Sequence, residues 1–209
     1  GNDRGYGITT GQDGGYFATG FLDVTASEGE GNDNGKSLKN NSEKSSGKHG
    51  VGEFWGIKLS SDGETELRRY FGGTNNDRSY GVTQSPDGGF IQVGHSESDD
   101  FDITDPNGSY DVWIVKTKAN GDLDWQKNFG GSSIEIGYDV IATDDDNFML
   151  VGDTRSSDKD ISNPRGNADV WIIKFDTEGN KIWEETYGGP EFESGRSILP
   201  IGDDEYFVT

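Results

Sequence analysis

The run Asp111-Val112-Trp113-Ile114-Val115-Lys116 returns 58 residues later as Asp169-Val170-Trp171-Ile172-Ile173-Lys174. It stands 58 residues earlier as Glu53-Phe54-Trp55-Gly56-Ile57-Lys58. The same step carries Tyr70-Phe71-Gly72-Gly73 to Asn128-Phe129-Gly130-Gly131 and on to Tyr187-Gly188-Gly189. It also carries Gly94 to Gly152, and Gly121 and Trp125 to Gly179 and Trp183. A fixed period of this length marks a repeat architecture with one supersecondary unit per repeat. Further out, Asn2-Asp3-Arg4-Gly5-Tyr6-Gly7 resembles Asn76-Asp77-Arg78-Ser79-Tyr80-Gly81 at an offset of 74. The first unit therefore holds sixteen extra residues between Gly20 and Glu53, rich in Gly, Ser, Asn, Lys and Glu, which read as a mobile loop.

Each unit carries four strand signals, in the second unit Ser79–Gln84, Gly89–Gly94, Asp111–Thr117 and Leu123–Phe129. Their links include Pro86-Asp87-Gly88 and Ala119-Asn120-Gly121. Aromatic and β-branched runs bounded by Gly, Asn and Asp are hairpin grammar, and no helical period persists. The expectation is an all-β, β-propeller-like chain of four-stranded antiparallel blades with a 58-residue period. The strands of each blade are called A to D. The whole chain, residues 1–209, is expected to be one propeller segment. Blade one covers 1–71 with its loop insertion at about 21–52, blade two 72–129, blade three 130–187, and a partial fourth blade 188–209. A β-solenoid is the runner-up, but this unit is long for a coil of that kind. Closed propellers use about 4–8 blades, so an incomplete segment of a larger ring, and hence of a longer protein, is expected.

Composition narrows function by exclusion. The 209 residues carry 39 Asp+Glu against 18 Lys+Arg, a net charge of −21. Such a chain repels nucleic acid and anionic lipid. Hydrophobic residues are only 29%, but 5 Trp, 8 Tyr and 11 Phe, together with the repeat, argue against disorder. There is no Cys, and the two His, His49 and His95, are far apart, so thiolate sites and clustered zinc ligands are excluded. No apolar run approaches the roughly 18 residues of a membrane span.

The repeat resembles a group of secreted bacterial and archaeal propeller-repeat proteins, frequently from Bacteroidetes. The residues that carry the likeness are Phe71-Gly72-Gly73, Asp87-Gly88-Gly89-Phe90, Asp169-Val170-Trp171-Ile172-Ile173-Lys174-Phe175-Asp176 and Gly179-Asn180-Lys181-Ile182-Trp183. It covers nearly everything except about residues 21–52. What the resemblance implies is export and an extracellular or cell-surface place, with outer-membrane association. It brings no catalytic site.

Residues that recur in every repeat are expected to serve the repeat. Trp55, Trp113 and Trp171 read as inter-blade core rather than a sugar platform. Asp176-x-x-Gly179-x-x-x-Trp183, a relative of the sialidase Asp-box with one residue more after the glycine, reads as a hairpin turn. Lys58, Lys116 and Lys174 read as stems packed between blades, each ammonium paired with a repeated carboxylate. Asp3, Asp77, Glu135 and Glu193 precede strand A, while Glu53, Asp111 and Asp169 start strand C. All should lie at one end of the blades and cap loop amides.

The B–C loops, 98–108 and 156–166, share Asp-x-Asp-Ile-(Thr/Ser)-(Asp/Asn)-Pro-x-Gly, followed by the strand C acid. Alternating carboxylates suit a hard cation, so calcium is the candidate, held by Asp100, Asp102 and Asp111 and by Asp158, Asp160 and Asp169. The competing expectation is a set of Asx turns. No catalytic residue is expected. The favoured function is a non-enzymatic interaction or scaffold module that binds a partner protein or glycan at the cell surface through one loop-rich acidic face. The alternative is part of a glycan-degrading enzyme using carboxylates on that face, where two must stand at a defined separation.

Overall fold

The structure, a computed structural model, describes residues 3–23, 52–202 and 204–209. Most of the expected insertion, its Asn32-Asp33-Asn34-Gly35 and His49 lie outside the described residues. Fourteen strands follow in chain order: β1 (Arg4–Thr10), β2 (Tyr16–Leu22), β3 (Glu53–Leu59), β4 (Thr65–Phe71), β5 (Asp77–Gln84), β6 (Phe90–Ser96), β7 (Asp111–Thr117), β8 (Leu123–Phe129), β9 (Glu135–Ala142), β10 (Phe148–Thr154), β11 (Asp169–Phe175), β12 (Lys181–Tyr187), β13 (Ile198–Gly202) and β14 (Glu205–Val208). They form three four-stranded antiparallel sheets, β1–β4, β5–β8 and β9–β12, and one two-stranded sheet, β13–β14. The described residues contain no helix. The chain is all-β, and its four-stranded sheets are compatible with propeller blades.

The turns follow from their residues. Gly88, Gly121 and Gly179 sit at φ 83°, 81° and 78°, each closing a turn by donating its N–H three residues back, to Ser85, Lys118 and Asp176. The third sheet has Asp146, at φ 61°, where the second has Gly88. Asp tolerates that left-handed conformation better than most residues, but not without cost.

Neighbouring sheets meet most closely along their A strands. A Cβ on Gly81 of β5 would lie 2.8 Å from Asp139 Cα and 2.9 Å from the Tyr138 carbonyl of β9, so this crossing requires glycine. Further out the sheets hold apolar side chains between them. Trp113 is fully buried with Phe54, Phe71 and Ile103, its ring 4.5 Å from that of Phe54. One repeat on, Trp171 fills the same place with Val112, Ile114 and Phe129. Their indole N–H groups donate to Gln126 (2.8 Å) and Glu184 (2.7 Å). Each of these tryptophans thus joins its sheet to the one before. Trp55 holds the same register but is half-buried, against Leu22 and Tyr70.

The lysine column is paired throughout. Lys58 bonds Asp13 (2.6 Å) and Glu66 (2.9 Å), Lys116 bonds Asp87 and Asp124, and Lys174 bonds Asp145 (2.7 Å). Asp13, Asp87 and Asp145 are equivalent positions of the A–B turn. Lys174 lacks the second partner because Ile182 stands where Asp124 does one repeat earlier. Burial alone would lower the Lys116 pKa, but the two carboxylates outweigh it and raise it.

Candidate binding site: an aromatic arc on the A strands

The predicted acids converge on the turns that join one sheet to the next. At the first such turn Gly72 N–H donates to Asp102 (3.2 Å), Gly73 to Asp77 (2.8 Å), Thr74 to Asp100 (2.9 Å) and Asn75 to Ser98 (3.0 Å). At the second, Gly130 donates to Asp160 (3.1 Å), Gly131 to Glu135 (2.7 Å), Ser132 to Asp158 (2.8 Å) and Ser133 to Ser156 (2.8 Å). Four consecutive amides are thus received by the following sheet and its B–C loop. A side chain on the turn would have to displace these acids: a Cβ on Gly130 would lie 2.5 Å from Asp111 Oδ1 and 2.6 Å from Glu135 Oε2.

Asp100 and Asp102 therefore serve one turn and Asp111 stands at the next, beside Glu135. Asp158 and Asp160 likewise serve the second turn, and Asp169 stands at the third, beside Glu193. Asp111 accepts Asn107 N–H (2.5 Å), and Asp169 accepts those of Arg165 (2.8 Å) and Gly166 (3.3 Å). Each of the six calcium candidates thus accepts at least one backbone amide. Among the described residues no three acids or histidines are grouped to hold a metal ion. Asp111 Oδ1 and Asp169 Oδ1 are buried without a hydrogen-bond partner. Burial raises the Asp77 and Asp111 pKa values to about 6 each.

At the same end of the sheets the A strands break register. Gly5 pairs with Gly20 and Gly7 with Thr19, leaving Tyr6 out of the ladder. Ser79 and Gly81 leave out Tyr80, and Gly137 and Asp139 leave out Tyr138. A bulge turns the extra side chain away from the regular alternation and is a common device for aiming one at a site. Here it is used three times in register. The Tyr6 and Tyr80 rings are 5.0 Å apart and those of Tyr80 and Tyr138 5.5 Å. Arg196, next in the column, lies 3.7 Å over the Tyr138 ring. The result is one arc across four consecutive A segments. Tyr6 is 46% exposed, and Tyr80 and Tyr138 are half-buried.

Behind the arc stands a column that differs in each repeat: Phe21, His95 and Asp153. Phe21 lies 6.1 Å from Tyr6 in a tilted pair, with the Arg78 guanidinium 4.9 Å from the centre of its ring. His95 lies 5.7 Å from Tyr80 and 5.3 Å from Tyr110, which belongs to the B–C loop. Burial, helped by the charge of Arg78, lowers the His95 pKa to about 3, so the ring is neutral at pH 7. Its Nε2 stands 3.9 Å from Glu97, too far for a hydrogen bond, so burial prevails over that carboxylate. Burial and the neighbouring Asp153 raise the Tyr138 pKa to about 12. Arg78, His95, Glu97 and Tyr110 occur together only in the second sheet; the third has Ile136, Asp153, Arg155 and Ala168 at these places.

Sequence reasoning missed this group. Its signals were present: a tyrosine beside small residues at the start of three of the four A segments, and a column whose residue changes while its surroundings repeat. Comparison of the sequence with protein-family models and with curated proteins yields no match.

Proposed function

We propose that the chain is a non-enzymatic interaction module whose sheets are blades of a propeller, and that it binds a partner protein or glycan through the loop-rich end of those blades. The observation that carries the reading is the set of three bulged tyrosines side by side. Their mutual contacts steady the arc, and three partly exposed aromatic rings side by side suit a binding surface, since aromatics supply large contact area at small entropic cost. The extracellular or cell-surface place implied by the repeat belongs to the same proposal.

The test is an array of surface polysaccharides and surface proteins, probed with the natural chain and with Tyr80→Ala/Tyr138→Ala, alongside an assay for turnover of each binder. Binding lost in the folded double variant, with no product formed, supports the reading. Product formation would favour the glycan-degrading alternative, and binding that survives the double variant moves the site elsewhere.

Calcium enters the proposal at the sheet junctions. There the unpartnered Asp111 Oδ1 and Asp169 Oδ1 stand beside a second carboxylate, and a hard cation would offset the paired charge. A melting temperature raised by millimolar calcium and lowered by chelator supports it. Identical melting removes it and leaves the acids as acceptors for turn amides.

A further inference from the structure

We infer that the arc takes a carboxylate-bearing saccharide, with Arg78 holding the carboxylate and the tyrosines receiving the sugar faces. This rests on the binding reading above and names the ligand class of that site.

The first support is charge. In a chain where acids outnumber bases 39 to 18, Lys58, Lys116, Lys174, Lys181, Arg69 and Arg165 each have an acid within ion-pair distance. Arg78 and Arg196, at the arc, have no such partner among the described residues; Arg4, Lys127, Arg155 and Lys159 share that lack, and what marks the arc pair is its place beside the bulged tyrosines. The charges of Arg78 and Arg196 both bear on Tyr80. The guanidiniums are held against rings instead, Arg78 on Phe21 and Arg196 on Tyr138. Stacking fixes the plane of a guanidinium but leaves its in-plane N–H fork without an acceptor, and that fork fits a carboxylate.

The second support is orphaned polar atoms. Arg78 Nε and His95 Nδ1 are buried with no hydrogen-bond partner, and His95 is only 3% exposed. Such atoms are costly unless a ligand or a water supplies the partner. A neutral imidazole can donate to or accept from a hydroxyl. Glu97 and Asp153, whose charges bear on Tyr110 and Tyr138, add acceptors at the same place.

The third is the kind of surface. Rings alternating with fixed donors and acceptors suit a ligand with apolar C–H faces and polar edges, which is the chemistry of a pyranose. A polyphosphate is disfavoured by the −21 chain. The same repulsion weighs against a long polyuronate, so the fitting ligand is a short acidic oligosaccharide that presents one carboxylate to Arg78.

The probes are oligogalacturonate, oligomannuronate and hyaluronan oligosaccharide, each against its carboxyl-reduced counterpart, measured by calorimetry with the natural chain, Arg78→Gln and Tyr80→Ala/Tyr138→Ala. Melting curves confirm that each variant is folded. At least one acid probe is expected to bind, with its reduced form at least tenfold weaker, the range lost with a charge-assisted hydrogen bond. Arg78→Gln should bind acid and reduced forms alike, and the double variant should bind neither. Equal binding of acid and reduced forms by the natural chain overturns the carboxylate assignment while leaving the arc as the site. Failure of every probe overturns the saccharide assignment, and a protein binder that depends on Tyr80 and Tyr138 then shows the arc to be a protein site. Failure of the array as well removes the binding reading itself.

Discussion

His95 shows how one residue can set a pH dependence. Its folded pKa of about 3 lies below the unfolded value of 6.5, so the unfolded chain binds the proton more readily. The stability it contributes is complete above 6.5 and falls as pH drops toward 3. Asp77 and Asp111, with folded values near 6 against 3.8, act oppositely: what they contribute to the fold grows as pH falls from 6 to 3.8 and is lost again as pH rises through 6. The net profile is therefore flatter than His95 alone would give, and a variant separates the terms. His95→Phe, which copies Phe21 of the first sheet, should gain on the natural chain by about 2–3 kcal/mol between pH 6.5 and 4.5. Urea midpoints at the two pH values check it, and parallel losses would show the imidazole to be solvated. Asp146 offers a second test at this scale. Replacing it with Gly, as in Gly88, relieves a left-handed backbone and should stabilise by up to about 1 kcal/mol. An unchanged melting temperature would show that the turn carries no strain.

At the scale of elements, the strands and their joints can be separated. Strands C and D were legible residue for residue in the second unit, Asp111–Thr117 and Leu123–Phe129, because glycine turns and the Trp/Lys alternation bracket them. Strand A begins two residues earlier than read, at Asp77, and strand B runs two residues past Gly94, to Ser96, because Asp77 and Ser96 pair with each other across the ladder. The acid motif of the B–C loop was legible as a pattern but not by its partners. Those are amides 26 and 30 residues away, on the turn before the sheet, and only packing brings them together. The joint predicts its own sensitivity. Gly130→Ala would drive a methyl into two carboxylates and should cost about 1–3 kcal/mol. Trp171→Ala empties the contact between the second and third sheets and should cost about 3–5 kcal/mol. Trp55→Ala, on a half-buried residue, should cost distinctly less. Chemical denaturation of the three variants reads the order, and equal losses for Trp55 and Trp171 would contradict the packing described.

For the whole molecule, the repeat accounts for the architecture and its exceptions point to the site. The bulged tyrosines escaped sequence reading because Tyr6, Tyr80 and Tyr138 look like ordinary members of a repeated column, and a bulge is a matter of register rather than composition. The acids crowding the same end drew attention because they are many, yet most are occupied by amides. At the arc the unpartnered buried polar atoms belong to Arg78 and His95. The most direct measurement of the central claim is an NMR titration of ring-labelled tyrosine, using the strongest binder from the array. The account predicts that Tyr6, Tyr80 and Tyr138 shift together while Tyr16, Tyr70 and Tyr187 stay still. Saturation of the binder with the three arc signals unmoved would contradict it.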